Sequence, residues 1–245
     1  MVETSPPAQL PNPDELWEAT LGWSPTEAQQ RQLQTLYEAV LAQNRYLNLT
    51  RITDPEAFWE KHLWDSLSGP ASLELVAGDR AIDIGTGAGL PGLPVAIAYP
   101  QVAVTLLEAT GKKASALERI VVELAIDNAV PLAGRAEQIG RQAQHREAYS
   151  LALLRAVGRT VPCAEYALPL LERGGIAILY RGRWDQAQAD AVAAAAKQLG
   201  GTVAGIEDWT TPLTQAERHC IYLEKTGRTP ARFPRAPGVP AREPL

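Results

Sequence analysis

Arg80-Ala81-Ile82-Asp83-Ile84-Gly85-Thr86-Gly87-Ala88-Gly89-Leu90-Pro91-Gly92 is the stretch that decides the fold of this chain. It reads as a short apolar strand running into a glycine-rich turn, with a carboxylate near the strand's end. Gly85, Gly87 and Gly89 let the backbone turn with φ > 0 and admit a ligand close to the main chain. Asp83, two residues before the first glycine, favours a ligand with a positive charge or an amine. S-adenosylmethionine (SAM) has both, so the loop points to methyl transfer.

A dinucleotide reading uses the same residues. Gly87-x-Gly89-x-x-Gly92 satisfies the dinucleotide fingerprint, and Glu108 lies 19 residues after Gly89, where a ribose-binding acid is expected. In that register Pro91 falls inside the fingerprint, Gly85 has no task, and Asp83 would repel a pyrophosphate. A turn that binds nothing is a third reading. Three glycines at alternate positions carry an entropic cost that argues against it.

The bulk numbers narrow the setting. At 245 residues and 46% hydrophobic, the chain suits one large α/β domain with decorations. Cys163 and Cys220 give neither a disulfide framework nor zinc spacing, and no metal is called for. There is no apolar run long enough to cross a membrane, and the start, Met1-Val2-Glu3-Thr4-Ser5-Pro6-Pro7, lacks the layout of a signal peptide. A cytoplasmic protein with no membrane partner is expected. A net charge of −5 argues mildly against nucleic acid, yet Lys225, Arg228, Arg232, Arg235 and Arg242 follow one another with no acid between them.

The layout reads as a loose segment at 1–13, a helical layer at 14–75, a sheet domain at 76–226 and an Arg/Pro-rich tail at 227–245. Pro230, Pro234, Pro237 and Pro240 predict that the tail is extended and disordered. Leu33, Leu36, Tyr37, Val40 and Leu41 describe one face of a helix over 25–44, with Ser24 as its expected cap. Asp54-Pro55 predicts an N-cap and first turn of a helix to about Ser66. Seven strands follow from Ile82: near Val102–Glu108, Val130–Ala133, Leu151–Leu154, Ile176–Tyr180, Val203–Glu207 and Cys220–Glu224. Strands alternate with helices until the last two, which have no room for a helix between them and so pair antiparallel. The fold class is α/β, an open, doubly wound, mostly parallel sheet with a terminal antiparallel hairpin and an N-terminal helical extension. Its ligand belongs beyond the carboxyl ends of the first four strands.

Glu108, ending the second strand, can accept both hydroxyls of a ribose, or simply cap the next helix. Ala109 and Thr110 can line the same pocket. In Gly134-Arg135-Ala136-Glu137 the Ala136 N–H and the Glu137 carboxylate can read the edge of an adenine. Arg155 ends the fourth strand, where it can hold the acceptor, a phosphate or a carboxylate, or lie free on the surface. Lys112 and Lys113 open a helix at the end that repels cations, a cost that facing an anionic partner offsets. Pro162-Cys163 evokes a cytosine-methylating nucleophile, but no acid accompanies it, and a buried structural cysteine is the better reading. There is also no Asn/Asp-Pro-Pro-aromatic motif for exocyclic amines. An acceptor with its own lone pair, such as guanine N7, needs alignment more than a general base.

Taken together these motifs resemble the small-subunit ribosomal RNA methyltransferase G family, also called glucose-inhibited division protein B. The resemblance runs from about Asn44 to Lys225 and includes Asn48-Leu49-Thr50, His62-Leu63-x-Asp65-Ser66-Leu67, the loop Asp83–Pro94, Lys112-Lys113, Gly134–Glu137, Arg155-Ala156 and Glu217-Arg218-His219. It implies a seven-stranded class I methyltransferase sheet and SAM as cosubstrate. The implied product is 7-methylguanosine in small-subunit (16S) ribosomal RNA, near the decoding centre. The family's cofactor contacts fall on Gly85, Leu90, Glu108, Ala109, Thr110, Ala136, Glu137 and Arg155, with Gly87 in the same loop. Glu108 stands where many relatives have aspartate. Asn48, His62 and Asp65 match the family with no role assigned, either docking RNA or fastening the helical layer to the sheet. An NAD-dependent oxidoreductase and a non-catalytic SAM- or RNA-binding adapter remain as alternatives.

Overall fold

Residues 8–11 and 13–245 are described by the structure, a computed structural model. Its centre is β1 (Arg80–Ile84), whose side chains alternate between two cores: Ala81 joins one, Ile82 and Ile84 the other. β2 (Ala103–Glu108), β3 (Ala129–Ala133), β4 (Tyr149–Arg155) and β5 (Leu171–Arg181) run parallel to β1. β6 (Gly201–Thr210) and β7 (Glu217–Lys225) form the antiparallel hairpin, and the sheet order is β3-β2-β1-β4-β5-β7-β6. The apolar run Leu151–Leu154 follows from burial on both faces.

One face carries the N-terminal layer, α1 (Asp14–Leu21), α2 (Glu27–Asn44), α3 (Pro55–Phe58), a π-helical turn (Trp59–Trp64) and α4 (Asp65–Ser68), together with α5 (Gly92–Ala98) and α6 (Gly111–Leu124). Trp17, Leu36, Phe58 and Leu63 belong to the same buried cluster as Leu106 and Leu153, so the helical layer shares its core with the sheet. The other face carries α7 (Ala136–Ile139), α8 (Thr160–Ala167), α9 (Gln186–Gln198) and a last turn, α10 (Val239–Arg242).

Several local expectations shift. Thr26, not Ser24, caps α2: its hydroxyl takes the Gln29 N–H at 3.3 Å while the Gln29 side chain takes the Thr26 N–H at 2.9 Å. Asp54 caps α3 as expected, through the Ala57 N–H at 2.9 Å. β5 begins at Leu171 rather than Ile176, because Gly174 (φ 86°) and Gly175 are absorbed in an irregularity opposite Tyr149 and Leu151.

The larger correction concerns the tail. The proline-rich composition of 227–245 reads as disorder, but these residues pack on the second face. Phe233 is buried against it. Arg146 donates to the carbonyls of Thr229 and Phe233, each at 2.9 Å. Lys225 is buried, with Nζ 2.6 Å from both Leu168 O and Thr229 Oγ1. Prolines that forbid a regular ladder still permit an extended strap whose carbonyls accept from side chains. The expected loose segment 1–13 lies mostly outside the described residues, although Leu10 N–H bonds Gln34 Oε1 at 2.8 Å.

Candidate functional site

β1 and β4 are neighbours from which the chain departs in opposite directions, so a crevice opens at their carboxyl ends. The glycine turn leaves β1 there with Gly85, Gly87 and Gly89 at φ 72°, 60° and 86°. Asp83, fully buried, accepts the Thr86 hydroxyl at 2.5 Å and the Gly92 N–H at 2.7 Å, both on Oδ2. The sequence suggests that Asp83 faces the ligand; instead one oxygen pins the loop, and buried Oδ1 has no partner among the described residues. Burial pushes this carboxyl up to about 6. A Cβ at Gly92 would collide with Leu106 and lie 2.8 Å from Asp83 Oδ2, so that glycine serves packing. At Gly87 a Cβ would meet nothing nearer than Gly85 O at 3.9 Å, leaving open space above the turn.

Glu108 closes the other side. Its Oε2 accepts the Gly87 N–H at 3.1 Å and its Oε1 the Thr110 N–H at 2.7 Å. One buried carboxylate thus ties the end of β2 to the loop after β1. Each oxygen retains a lone pair, the acceptor pair that a vicinal diol requires. The residues present fit SAM: an open glycine cradle, a diol acceptor beside it and an unsatisfied carboxylate oxygen at its base.

A cleft of about 230 Å³ runs from this point, lined by Gly85, Ala109, Ala136, Glu137, Val157 and Tyr166 among others. The structure therefore brings four of the predicted residues together, with Glu108, Gly87 and Thr110 joined at the rim. Leu90, in the same loop, is buried in the first core. Val157 and Tyr166 are additions. Val157 follows β4, at a strand end where such a site is legible, whereas Tyr166 sits inside α8 and only packing brings it here. Glu137 is held from two sides, its Oε1 accepting Arg135 Nη2 at 3.1 Å and the Gly238 N–H of the tail at 2.8 Å.

Arg155 lies in a neighbouring cleft of about 450 Å³ with Asp65, Tyr180, Arg181 and Arg218. Its guanidinium donates to Asp65 Oδ2 at 2.9 Å and to Lys61 O at 3.1 Å, so it fastens the helical layer to β4. Arg218 of β7 takes the other Asp65 oxygen at 3.3 Å. His62 Nε2 meets Thr50 Oγ1 at 2.7 Å, and its ring is held neutral, down to about 3, by burial and then by the Arg155 charge. Asp65 thus fastens the helical layer to β4 and β7, and His62 adds a longer contact, its Nδ1 3.5 Å from Arg155 Nη2. Cys163 is buried, and burial pushes its thiol up, which suits a structural residue rather than a nucleophile.

Comparison with known proteins identifies the family and the fold. The profile of the family described as "GidB: rRNA small subunit methyltransferase G" matches residues 29–220. The chain is 54% identical to the "Ribosomal RNA small subunit methyltransferase G" of Nostoc sp. strain PCC 7120 over 96% of this chain and 98% of that one. The protein of the same name from Trichodesmium erythraeum is 52% identical over 96% and 94%. Among solved structures, a 16S rRNA (adenine(1408)-N(1))-methyltransferase from Catenulisporales acidiphilia superposes with a TM-score of 0.52 at 12% identity, over 63% of this chain and 88% of that one. M. jannaschii TYW2 in complex with AdoMet gives 0.53 at 12%, over 73% and 79%. These two share the class I methyltransferase sheet and speak for the fold alone. With a glycine cradle, a bridging Glu108 and near full-length relatives at this identity, the chain belongs to the rRNA small subunit methyltransferase G family.

Proposed function

We propose that this protein is a SAM-dependent methyltransferase that places a methyl group on N7 of a guanine in small-subunit ribosomal RNA. The observation that carries the reading is Glu108, bridging Gly87 and Thr110 at the switch point beside an open glycine turn. SAM supplies an electrophilic methyl group when bound. Gly85 and Gly87 admit it to the main chain, Glu108 accepts its ribose, and Ala109, Ala136 and Glu137 flank its adenine. Thr110 fixes Glu108 through its backbone, and Leu90 shapes the loop from below.

The acceptor belongs near the second cleft, where Arg155, Arg181 and Arg218 gather. The carboxylate there, Asp65, is spent on two of those arginines. That lining orients and neutralises rather than abstracts a proton. Guanine N7 suits it, because its lone pair is free and no proton leaves. The substrate is ribosomal RNA within or destined for the small subunit.

Labelled SAM incubated with purified small-subunit particles and with naked ribosomal RNA tests the reading. Methylation at N7 makes the glycosidic bond labile to borohydride and aniline, so the product is mapped by strand cleavage. A methyl group on cytosine C5, an exocyclic amine or a protein would overturn the proposed reaction even if SAM bound.

A further inference from the structure

A groove of about 480 Å³ lies between the carboxyl end of α2 and the first turns of α6, lined by Gln43, Tyr46, Lys112, Ser115 and Arg119 among others. Tyr46 is 85% exposed, more than any other large hydrophobic side chain among the described residues. A ring so placed contributes nothing to the core. Lys112 sits in the first turn of a 14-residue helix, the end that repels a cation. Among the described residues no carboxylate pairs with it. Lys112, Ser115 and Arg119 share one face of α6, and Arg119 is braced by Gln43 Oε1, 3.2 Å from Nε and 3.0 Å from Nη2. The lining thus combines two cations and an aromatic ring, with no acid, in a chain of net charge −5. Its lining includes Gly111, the residue after Thr110, whose N–H holds Glu108.

We propose that this groove docks an unpaired stretch of the substrate RNA, with a base stacked on Tyr46 and flanking phosphates on Lys112 and Arg119. Every base has a face that an aromatic ring can stack on, and the phosphates supply the anions that the helix start lacks. The inference rests on the RNA methyltransferase reading above and adds where the RNA lies beyond the target nucleotide.

The test uses the full chain as Tyr46→Ala, Tyr46→Phe and the double variant Lys112→Gln/Arg119→Gln. Three quantities are read: the SAM dissociation constant, retention of naked small-subunit ribosomal RNA on filters across a salt series, and KM for that RNA. Tyr46→Ala should weaken RNA binding and raise KM about tenfold, with Tyr46→Phe restoring most of it. The double variant should lower the slope of log affinity against log salt by about 1–2. SAM affinity should stay at the wild-type value throughout, which separates docking from unfolding. Wild-type RNA binding by Tyr46→Ala, or an equal loss in Tyr46→Phe, overturns the stacking role. An effect confined to assembled subunits and absent on naked RNA assigns the groove to a ribosomal protein and overturns it too. A wild-type protein that binds SAM but methylates no RNA fails at the functional reading itself, so the two failures are distinguishable.

Discussion

Arg235 grips Glu165 from 70 residues away in sequence: Nη2 stands 2.7 Å from Oε2, Nε 3.0 Å from both oxygens, and the Arg235 backbone N–H 2.7 Å from Oε1. Glu165 is 1% exposed, so removing the guanidinium strands a buried carboxylate. Because Arg235 itself is about a quarter exposed, Arg235→Ala should cost about 2–3 kcal/mol, below the full value for a buried pair. Arg235→Lys should recover only part, lacking the fork. Urea unfolding measures both. The tail also holds Glu137 through Gly238, so SAM binding should weaken in Arg235→Ala. Wild-type stability in that variant would mean the strap is anchored elsewhere.

Glu108→Ala removes the acceptor for two backbone N–H groups as well as for a ribose. SAM affinity should fall by on the order of 2–4 kcal/mol, from two lost charge-assisted bonds. Glu108→Gln should fall nearly as far, because one of its two ends turns an N–H toward a backbone donor. Calorimetric titration checks both variants, and an unchanged dissociation constant would remove Glu108 from the site.

Two glycines of the loop should respond differently. Gly87→Val meets open space but forces a branched residue to φ 60°, for about 1–2 kcal/mol of strain and a blocked cradle. Methylation should vanish while the protein stays folded. Gly92→Val drives side-chain atoms into Leu106 and Asp83 and should unfold the protein. Thermal melts and single-turnover methylation separate the two outcomes; an active Gly87→Val would show that the turn does not hold the cofactor.

His62 sets an acid limit on the fastening of the helical layer. Its folded value of about 3 lies below the ordinary 6.5, so the unfolded chain binds the proton first. The stability His62 contributes is fully present above pH 6.5 and is lost as pH falls toward 3. His62→Gln should therefore be the less stable protein at pH 7 yet lose less on acidification to pH 4. Parallel curves for the two proteins over that range would refute the assignment.

What the sequence shows and hides follows from how far apart the interacting parts lie. The succession of strands and helices, the hairpin and the glycine turn are legible because each is set by local pattern: apolar runs, loop length, alternate glycines. Gly85, Ala109, Ala136 and Glu137 line one cleft because they follow strand ends, which are local features too. The order of the tail is hidden because its anchors, Glu165 and Glu137, stand far back in the chain, where no spacing rule reaches. Arg155 is legible as a residue at a strand end but not as a fastener, since its partners Lys61 and Asp65 lie about 90 residues back, where no spacing rule joins them to β4. Thr26 as a cap was legible in Thr26-x-x-Gln29, a stronger signal than Ser24 before a proline.

The insertion of β7 between β5 and β6 has a consequence for synthesis. β6 leaves the ribosome before β7, its one partner strand among the described residues, while the edge of β5 beside it is still bare. A right-handed crossover through α9 would place β6 parallel on that edge, the commonest way for such a unit to close. The seat is buried on both faces, and β6 is unsuited to it: Asp208 is exposed in its native place, and Glu207 accepts the hydroxyls of Ser72 and Tyr222, each at 2.8 Å. Cys220-Ile221-Tyr222-Leu223 of β7 is apolar throughout and fits. The carboxylates Glu207 and Asp208 of β6 would be costly in that two-sided seat, so the sequence of β6 favours the outer position and leaves the inner one to β7.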